Sequence, residues 1–215
     1  MHTDAASAES ILAPILDAID RHPRRIHWII RGLIVAEDGQ TNTPQFWFLW
    51  GLFADRVRTA KWLPHLNEKH PHGDEIISAI FLGSSWKEHV RHWKSLEGYA
   101  QRLDTLFEDL PATSTVLDDY VRFLYHIGEQ SLPAAFVLIA KRLQSADSHE
   151  MLSESNTVFL LEVLLQRHVY GKPLELKSKA AVRDAVLSLL DVLVENGSSA
   201  AFRMRDDFVT PIAGS

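Results

Sequence analysis

The chain has 215 residues, of which 46% are hydrophobic and 23% charged, a composition typical of a globular protein with a sizeable buried core. Its net charge of −6 argues against a protein that coats nucleic acid through a basic surface. The absence of cysteine excludes disulfides, thiolate metal sites and cysteine nucleophiles, and it favours a cytoplasmic protein.

The longest apolar runs, residues 134–140 and 158–165, are far shorter than the roughly 20 residues that a membrane-spanning helix needs. The first residues lack the basic and apolar pattern of a signal peptide. We therefore expect no membrane partner and a cytoplasmic location.

Apolar residues recur at steps of three and four along most of the chain, which predicts amphipathic helices. Period-two alternation is nearly absent, so the fold class is predicted to be all-α. In chain order, helices are expected over residues 6–19, 24–36, 44–63, 76–82, 85–110, 116–127, 132–143, 156–170 and 179–195, with a last short helix through Phe208. The segment 85–110 forms one helix or two with a break at Gly98, and the segment 44–63 is one helix or is kinked or split near residues 55–58.

Two of these helices carry more specific expectations. In the helix over 116–127, Asp118 and Asp119 are placed in the first turn, as solvated charges that favour the helix N-terminus. In the helix over 156–170, apolar residues cover most of the circumference, which predicts burial on several sides. Gly171 is expected to end it.

The helix over 179–195 has one continuous apolar stripe, and Gly197 is placed as its C′ terminator. Ser198 or Ser199 is predicted to cap the last helix. Phe202 and Phe208 are expected to cover the end of the helical array as a cap, the alternative being that they dock on a second copy.

Helices with similar apolar openings begin near Ile76, Val116 and Val158, giving steps of 40 and 42 residues that each enclose a helix pair. This spacing resembles that of HEAT and armadillo repeats, although the signature proline, aspartate and arginine positions of HEAT repeats are missing. The resemblance covers residues 76–200. It implies a right-handed α-α superhelix, a short solenoid of about eight to ten helices; an irregular multi-helix bundle is the alternative.

No linker divides the chain, so a single all-helical domain is expected over residues 1–215. All six tryptophans and eight of the eleven histidines lie before residue 94. Residues 1–70 are therefore predicted to be a less regular, tryptophan- and histidine-rich part, and 76–200 a repeat-like part. The best explanation of this uneven distribution is that large aromatic side chains fill the gaps between irregular helices in the first part.

Stacked helix pairs form a concave surface whose usual task is to hold another protein or peptide. We therefore predict a non-catalytic interaction scaffold or adaptor, a monomer or weak homodimer, with no cofactor and no catalytic residue. Tryptophan, tyrosine and arginine are enriched at interface anchors, although core filling is the simpler reading of each tryptophan alone. The predicted partner-binding residues are Trp86, His89, Arg91, His92, Trp93 and Tyr99.

A first alternative is nucleic-acid binding through the basic and aromatic stretch 21–31. On a helix that begins after Pro23, one face carries guanidinium groups for phosphates and an indole for base stacking. The residues of this face are Arg24, His27, Trp28 and Arg31. Acidic residues on both sides of the stretch are able to neutralise it in ordinary salt bridges.

A second alternative is a metal-dependent enzyme that uses the histidine and acid cluster over residues 65–92. Its candidate ligands are His70, His72, His89 and His92, of which the last two share one helix face. The HExxH spacing of zinc enzymes is absent, and His70 and His72 flank a proline in a predicted turn. Neither a nucleophile elbow nor a phosphate-binding loop motif occurs in the sequence.

Overall fold

The protein is described from a computed structural model. It describes residues 13–18, 20–22, 25, 52–53, 55–56, 59–61, 104–105, 107–108, 110, 113–127, 132–145, 151–152, 155, 158–171 and 177–209.

Regular structure in the described part of the chain is helical, with no strand there. The fold class is therefore all-α, as predicted. Five helices are described over their whole length: α1 (Ser114–Ile127), α2 (Leu132–Ser145), α3 (Val158–Gly171), α4 (Ala180–Glu195) and α5 (Ser199–Val209). Each lies within three residues of a predicted helix, since the apolar periodicity of this region is strong.

The chain divides into two compact units, residues 1–95 with 109–111 and residues 96–108 with 112–215. In the first unit, residues 13–18 and 52–53 are helical. The Arg56 guanidinium donates to Asp17 at 3.0 Å and to Asp20 at 2.5 Å. These ion pairs tie two sequence-distant segments together. The prediction of one domain over residues 1–215 stays a prediction.

The second unit contains all five helices. Helix α1 packs on α2 and α3, α4 packs on α2 and α5, and α3 also packs on α5. The apolar stripes of the helices meet in one core. Its fully buried side chains include Phe107, Val116, Tyr120, Phe123, Leu124, Phe136, Ile139, Leu165, Val186, Leu189, Leu190 and Leu193.

Helix α1 begins two residues before the predicted start, because a cap residue precedes the apolar pattern. The Val116 amide donates to the Thr113 hydroxyl at 3.3 Å, which satisfies one of the free N–H groups of the first turn. Asp118 and Asp119 consequently lie in the second turn, and the first turn holds no acidic residue.

The expectation that these two aspartates are solvated is wrong. Asp118 is 5% and Asp119 6% exposed. The Ser155 hydroxyl donates to Asp118 at 2.5 Å, and Arg122 lies 3.6 Å from Asp119. Their burial is compensated by these polar contacts. The contact with Ser155 could not be predicted from the sequence pattern, because Ser155 lies 37 residues from Asp118.

Helix α4 ends in a Schellman motif, as the placement of Gly197 predicts. Gly197 has a φ of +89°, and its amide donates to the Val194 carbonyl at 2.9 Å. The Ser198 amide donates to the Leu193 carbonyl at 3.0 Å. These are the two hydrogen bonds of the motif, and they satisfy carbonyls that the helix end leaves free.

Ser198 also begins α5, which confirms it as the predicted cap. Its hydroxyl accepts a hydrogen bond from the Ala201 amide at 3.0 Å. Ser198 therefore contributes both to the turn that ends α4 and to the cap of α5.

The Gly197→Ala variant is expected to lower the free energy of unfolding by about 1 kcal/mol. A side chain at positive φ costs about 1–2 kcal/mol, and alanine recovers part of that by restricting the unfolded chain. A Cβ at this position meets no atom within 4 Å, so the loss is conformational and not steric. Chemical denaturation measures it. Gly197→Asn is the control and should lose less, since asparagine tolerates this conformation; equal losses in both variants would contradict the argument.

No helix among the described residues is long and apolar enough to cross a membrane. Of the helices predicted over the first hundred residues, the one over 76–82 lies wholly outside the described residues, and only residue 25 of the one over 24–36 is described.

Candidate functional site

The outer face of α3 carries two exposed aromatic side chains. It consists of Phe159, Val163, Gln166 and Tyr170, which recur at steps of four, three and four and so form one straight stripe. Phe159 is 70% exposed and Tyr170 51%. The opposite side of α3 is buried against α1 and α5, with Leu161, Leu164 and Leu165 among its core residues.

The expected burial of α3 on several sides is confirmed where it packs on α1 and α5. Its inner side is buried as predicted, but its outer side presents two aromatic rings to solvent. A helix that is apolar all round is ordinarily covered on all sides. The outer face of α3 thus has the composition of a buried surface and the exposure of a free one.

Helix α5 lies beside this face and adds a third exposed ring. Phe202 is 60% exposed, whereas Phe208 is buried in the core and carries the Lys177 ammonium 5.1 Å from its ring centroid. Phe208 is buried as the predicted cap requires, whereas Phe202 is not covered by the described residues; the alternative that these rings dock on a second copy stays a prediction. The two rings differ because positions 204 and 208 share the inner stripe of α5, and position 202 lies outside it.

A groove of about 370 Å³ runs between the two helices. Gln166 and Tyr170 line it from α3, and Phe202 lines it from α5. Arg203, Asp206 and Asp207 complete its polar lining. A groove that combines exposed aromatic rings with both signs of charge is suited to binding a polypeptide surface.

The Tyr170 hydroxyl links the two walls of this groove by donating a hydrogen bond to Asp207 at 2.7 Å. That hydrogen bond, more than burial, raises the pKa of Tyr170 above its ordinary value, while Arg203 acts in the opposite direction. The phenol is therefore a neutral donor at physiological pH, and it holds the aromatic ring at the mouth of the groove.

Helix α5 is also fixed to α4. Arg205 donates to Asp191 across the two helices. With the Schellman turn at Gly197 and the burial of Phe208, this ion pair sets the position of α5 beside α3.

A second polar cluster lies deeper in the unit. The Tyr120 hydroxyl donates to Asp104 at 2.5 Å, and the Tyr120 ring stacks on Phe107 at a centroid distance of 3.9 Å. Arg142 donates to the Phe107 carbonyl and lies over its ring. Burial raises the pKa of Tyr120 well above 10 and that of Asp104 above 3.8. Each group has a packing or hydrogen-bonding partner, so the cluster joins the segment around residue 107 to α1 and α2.

The site residues predicted from the sequence all lie outside the described residues, so the structure neither brings them together nor separates them. They are Trp86, His89, Arg91, His92, Trp93 and Tyr99 for a protein partner, Arg24, His27, Trp28 and Arg31 for nucleic acid, and His70, His72, His89 and His92 for metal. These three assignments stay predictions. Among the residues that are described, no group of three or more histidine, aspartate or glutamate side chains is placed to hold a metal ion.

Sequence reasoning gave Phe202 a docking role only as the alternative to a cap, and it missed Phe159 and Tyr170 as surface residues. The one signal that points to Phe159 and Tyr170 is the all-round apolar character of residues 156–170, which indicates that α3 needs cover on its outer side too.

No protein-family model, no curated protein and no solved structure matches this chain.

Proposed function

We propose that this chain is a non-catalytic adaptor that holds another polypeptide against the outer face of α3 and the adjoining groove. The observation that carries the proposal is the exposure of three aromatic rings, Phe159, Tyr170 and Phe202, on neighbouring helices. Exposed aromatic side chains are typical of protein-interaction sites, where aromatic residues dominate the binding energy.

The order of helix contacts supports a short HEAT-like or armadillo-like repeat architecture as part of this proposal. Helix α1 packs on α2 and α3, and α2 packs on α4, which are contacts that two stacked helix pairs would make. The two helices of the second pair, α3 and α4, both pack on α5. From Ser114 to Val158 the step is 44 residues, within the range of about 40–47 for such repeats. The cysteine-free composition favours the cytoplasm as the place where the adaptor acts.

The proposal is tested by affinity capture with the purified, tagged chain in an extract of its own host. We expect wild type to retain a polypeptide in stoichiometric amount, and the Phe202→Ser variant to retain at least tenfold less. Loss of one buried phenyl ring at an interface is large enough for this difference. Quantitative mass spectrometry of the eluates gives the ratio.

Val209→Ser is the matched control, because Val209 is on the same helix, is as exposed as Phe202 and does not line the groove. It should capture like wild type. Equal capture by wild type and Phe202→Ser, with Phe159→Ser also unchanged, would refute the proposed surface.

A further inference from the structure

We propose that the polypeptide bound by the outer face of α3 is a second copy of this chain, with the two α3 helices packed parallel about a twofold axis. This inference rests on the proposed function and names its partner. It follows from the pattern of apolar and charged residues on α3 itself.

The outer face of α3 has the spacing of a coiled-coil seam. Steps of four, three and four place Phe159 and Gln166 at one core position of the heptad and Val163 and Tyr170 at the other. The seam is about 16 Å long from Phe159 to Tyr170. Along this length, its side chains can insert between those of a second identical helix in knobs-into-holes packing. The face therefore has the geometry of a two-stranded helix pair.

Two charged residues flank the seam on opposite sides. At about 100° per residue, Glu162 projects to one side of it and Arg167 to the other. The Arg167 guanidinium lies 5.0 Å from the Tyr125 ring centroid, which places it on the α1 side. Asp206, Asp207 and Arg203 line the α3–α5 groove on the other side of the seam, so that side has a net negative charge. The seam thus has an acidic side and a basic side.

This arrangement is self-complementary in one orientation only. When two copies of α3 run parallel, the twofold axis brings the acidic side of one copy to the basic side of the other. Glu162 then lies opposite the partner's Arg167, five residues apart, which is the spacing of interhelical salt bridges in parallel coiled coils. An antiparallel pair places Glu162 beside the partner's Glu162 and so sets like charges together.

The size of the seam sets the expected strength. A standard interface buries about 800 Å² per partner, and a seam of two heptads with its flanking residues buries less. A dissociation constant in the micromolar range is therefore expected. Sedimentation velocity from about 1 µM to about 500 µM should therefore show a monomer–dimer equilibrium. Phe159→Ser should weaken it at least tenfold, and Val209→Ser should leave it unchanged.

Charge variants separate the two orientations. Glu162→Arg and Arg167→Glu should each weaken the dimer severalfold, and the double variant should recover the wild-type affinity. The absence of any rescue in the double variant would overturn the parallel arrangement.

The chain contains no cysteine, so a single introduced thiol reports position without background. A Phe159→Cys variant should oxidise to a disulfide-linked dimer, because the two thiols lie at one level in a parallel pair. In an antiparallel pair, position 159 of each copy lies opposite position 170 of the other. Cross-linking only in a mixture of Phe159→Cys and Tyr170→Cys would overturn the proposal. Arg183→Cys, exposed on α4, is the control and should stay monomeric.

Failure of this inference is distinguishable from failure of the proposed function. A chain that stays monomeric up to about 500 µM, yet captures a different protein in a Phe159-dependent way, overturns the second copy and leaves the adaptor. A chain that binds neither itself nor another protein through this face overturns both.

Discussion

The Phe107→Ala variant is expected to lose about 3–5 kcal/mol of its free energy of unfolding. The Phe107 ring is wholly buried, it stacks on Tyr120 with an angle of 12° between the ring planes, and the Arg142 guanidinium lies 4.4 Å from its centroid. Alanine would remove both ring contacts and leave a cavity that the surrounding helices fill only in part. Urea denaturation followed by circular dichroism measures the loss.

Phe159→Ala is the matched control for this experiment, since it removes the same ring from an exposed position. It should change the free energy of unfolding by less than about 0.5 kcal/mol. Both variants should be measured near 1 µM protein, where a dimer with a micromolar dissociation constant adds at most about 0.4 kcal/mol to stability. A large loss at position 159 and a small one at 107 would contradict the described packing.

Stability should fall steeply above pH 10, and Tyr120→Phe should remove most of that fall. Burial, with added repulsion from Asp104, raises the pKa of Tyr120 in the folded state well above its ordinary value of 10. The stabilising contribution of the neutral phenol is therefore complete below pH 10. It is lost as the pH rises from 10 through the higher folded-state pKa.

At neutral pH, Tyr120→Phe should itself cost about 1–3 kcal/mol, because the partly buried Asp104 carboxylate loses its donor. Burial raises the pKa of Asp104, so its favourable contribution exists at low pH and is lost as the pH rises through that raised value. Asp104→Asn keeps an acceptor and removes the charge, and it should be tolerated better than Tyr120→Phe.

The pH dependence is measured by thermal unfolding between pH 7 and about 11. Tyr170→Phe is the control, since that hydroxyl is on an exposed side chain, and it should keep the alkaline fall of wild type. An unchanged alkaline fall in Tyr120→Phe would show that another group is responsible.

The helices of the second unit were predictable because each has a local apolar period and local end signals. The Schellman stop at Gly197 and the Ser198 cap depend on backbone conformation within a few residues, and both are confirmed. Helix α1 starts earlier than predicted only because its cap, Thr113, precedes the first apolar residue of the pattern.

The candidate site was less predictable, since it depends on which helices lie next to each other. The periodicity of α3 indicates that several of its sides need cover, but it does not say which of them this chain covers itself. Asp118 illustrates the same limit, because its compensating partner Ser155 is 37 residues away. Contacts at that range follow from tertiary packing and have no local signature.

The junction between α4 and α5 has a consequence for engineering. Only three residues separate the two helices. The Ser198 amide binds the end of α4, and the Ser198 hydroxyl binds the start of α5. The backbone geometry of this turn therefore fixes the rotation of α5 about its own axis. Inserting one alanine after Ser198 would advance every later side chain by about 100°. Such an insertion would move Phe208 out of the core and turn Phe202 away from α3. The turn between α4 and α5 therefore determines which side chains of α5 are buried and which face the groove.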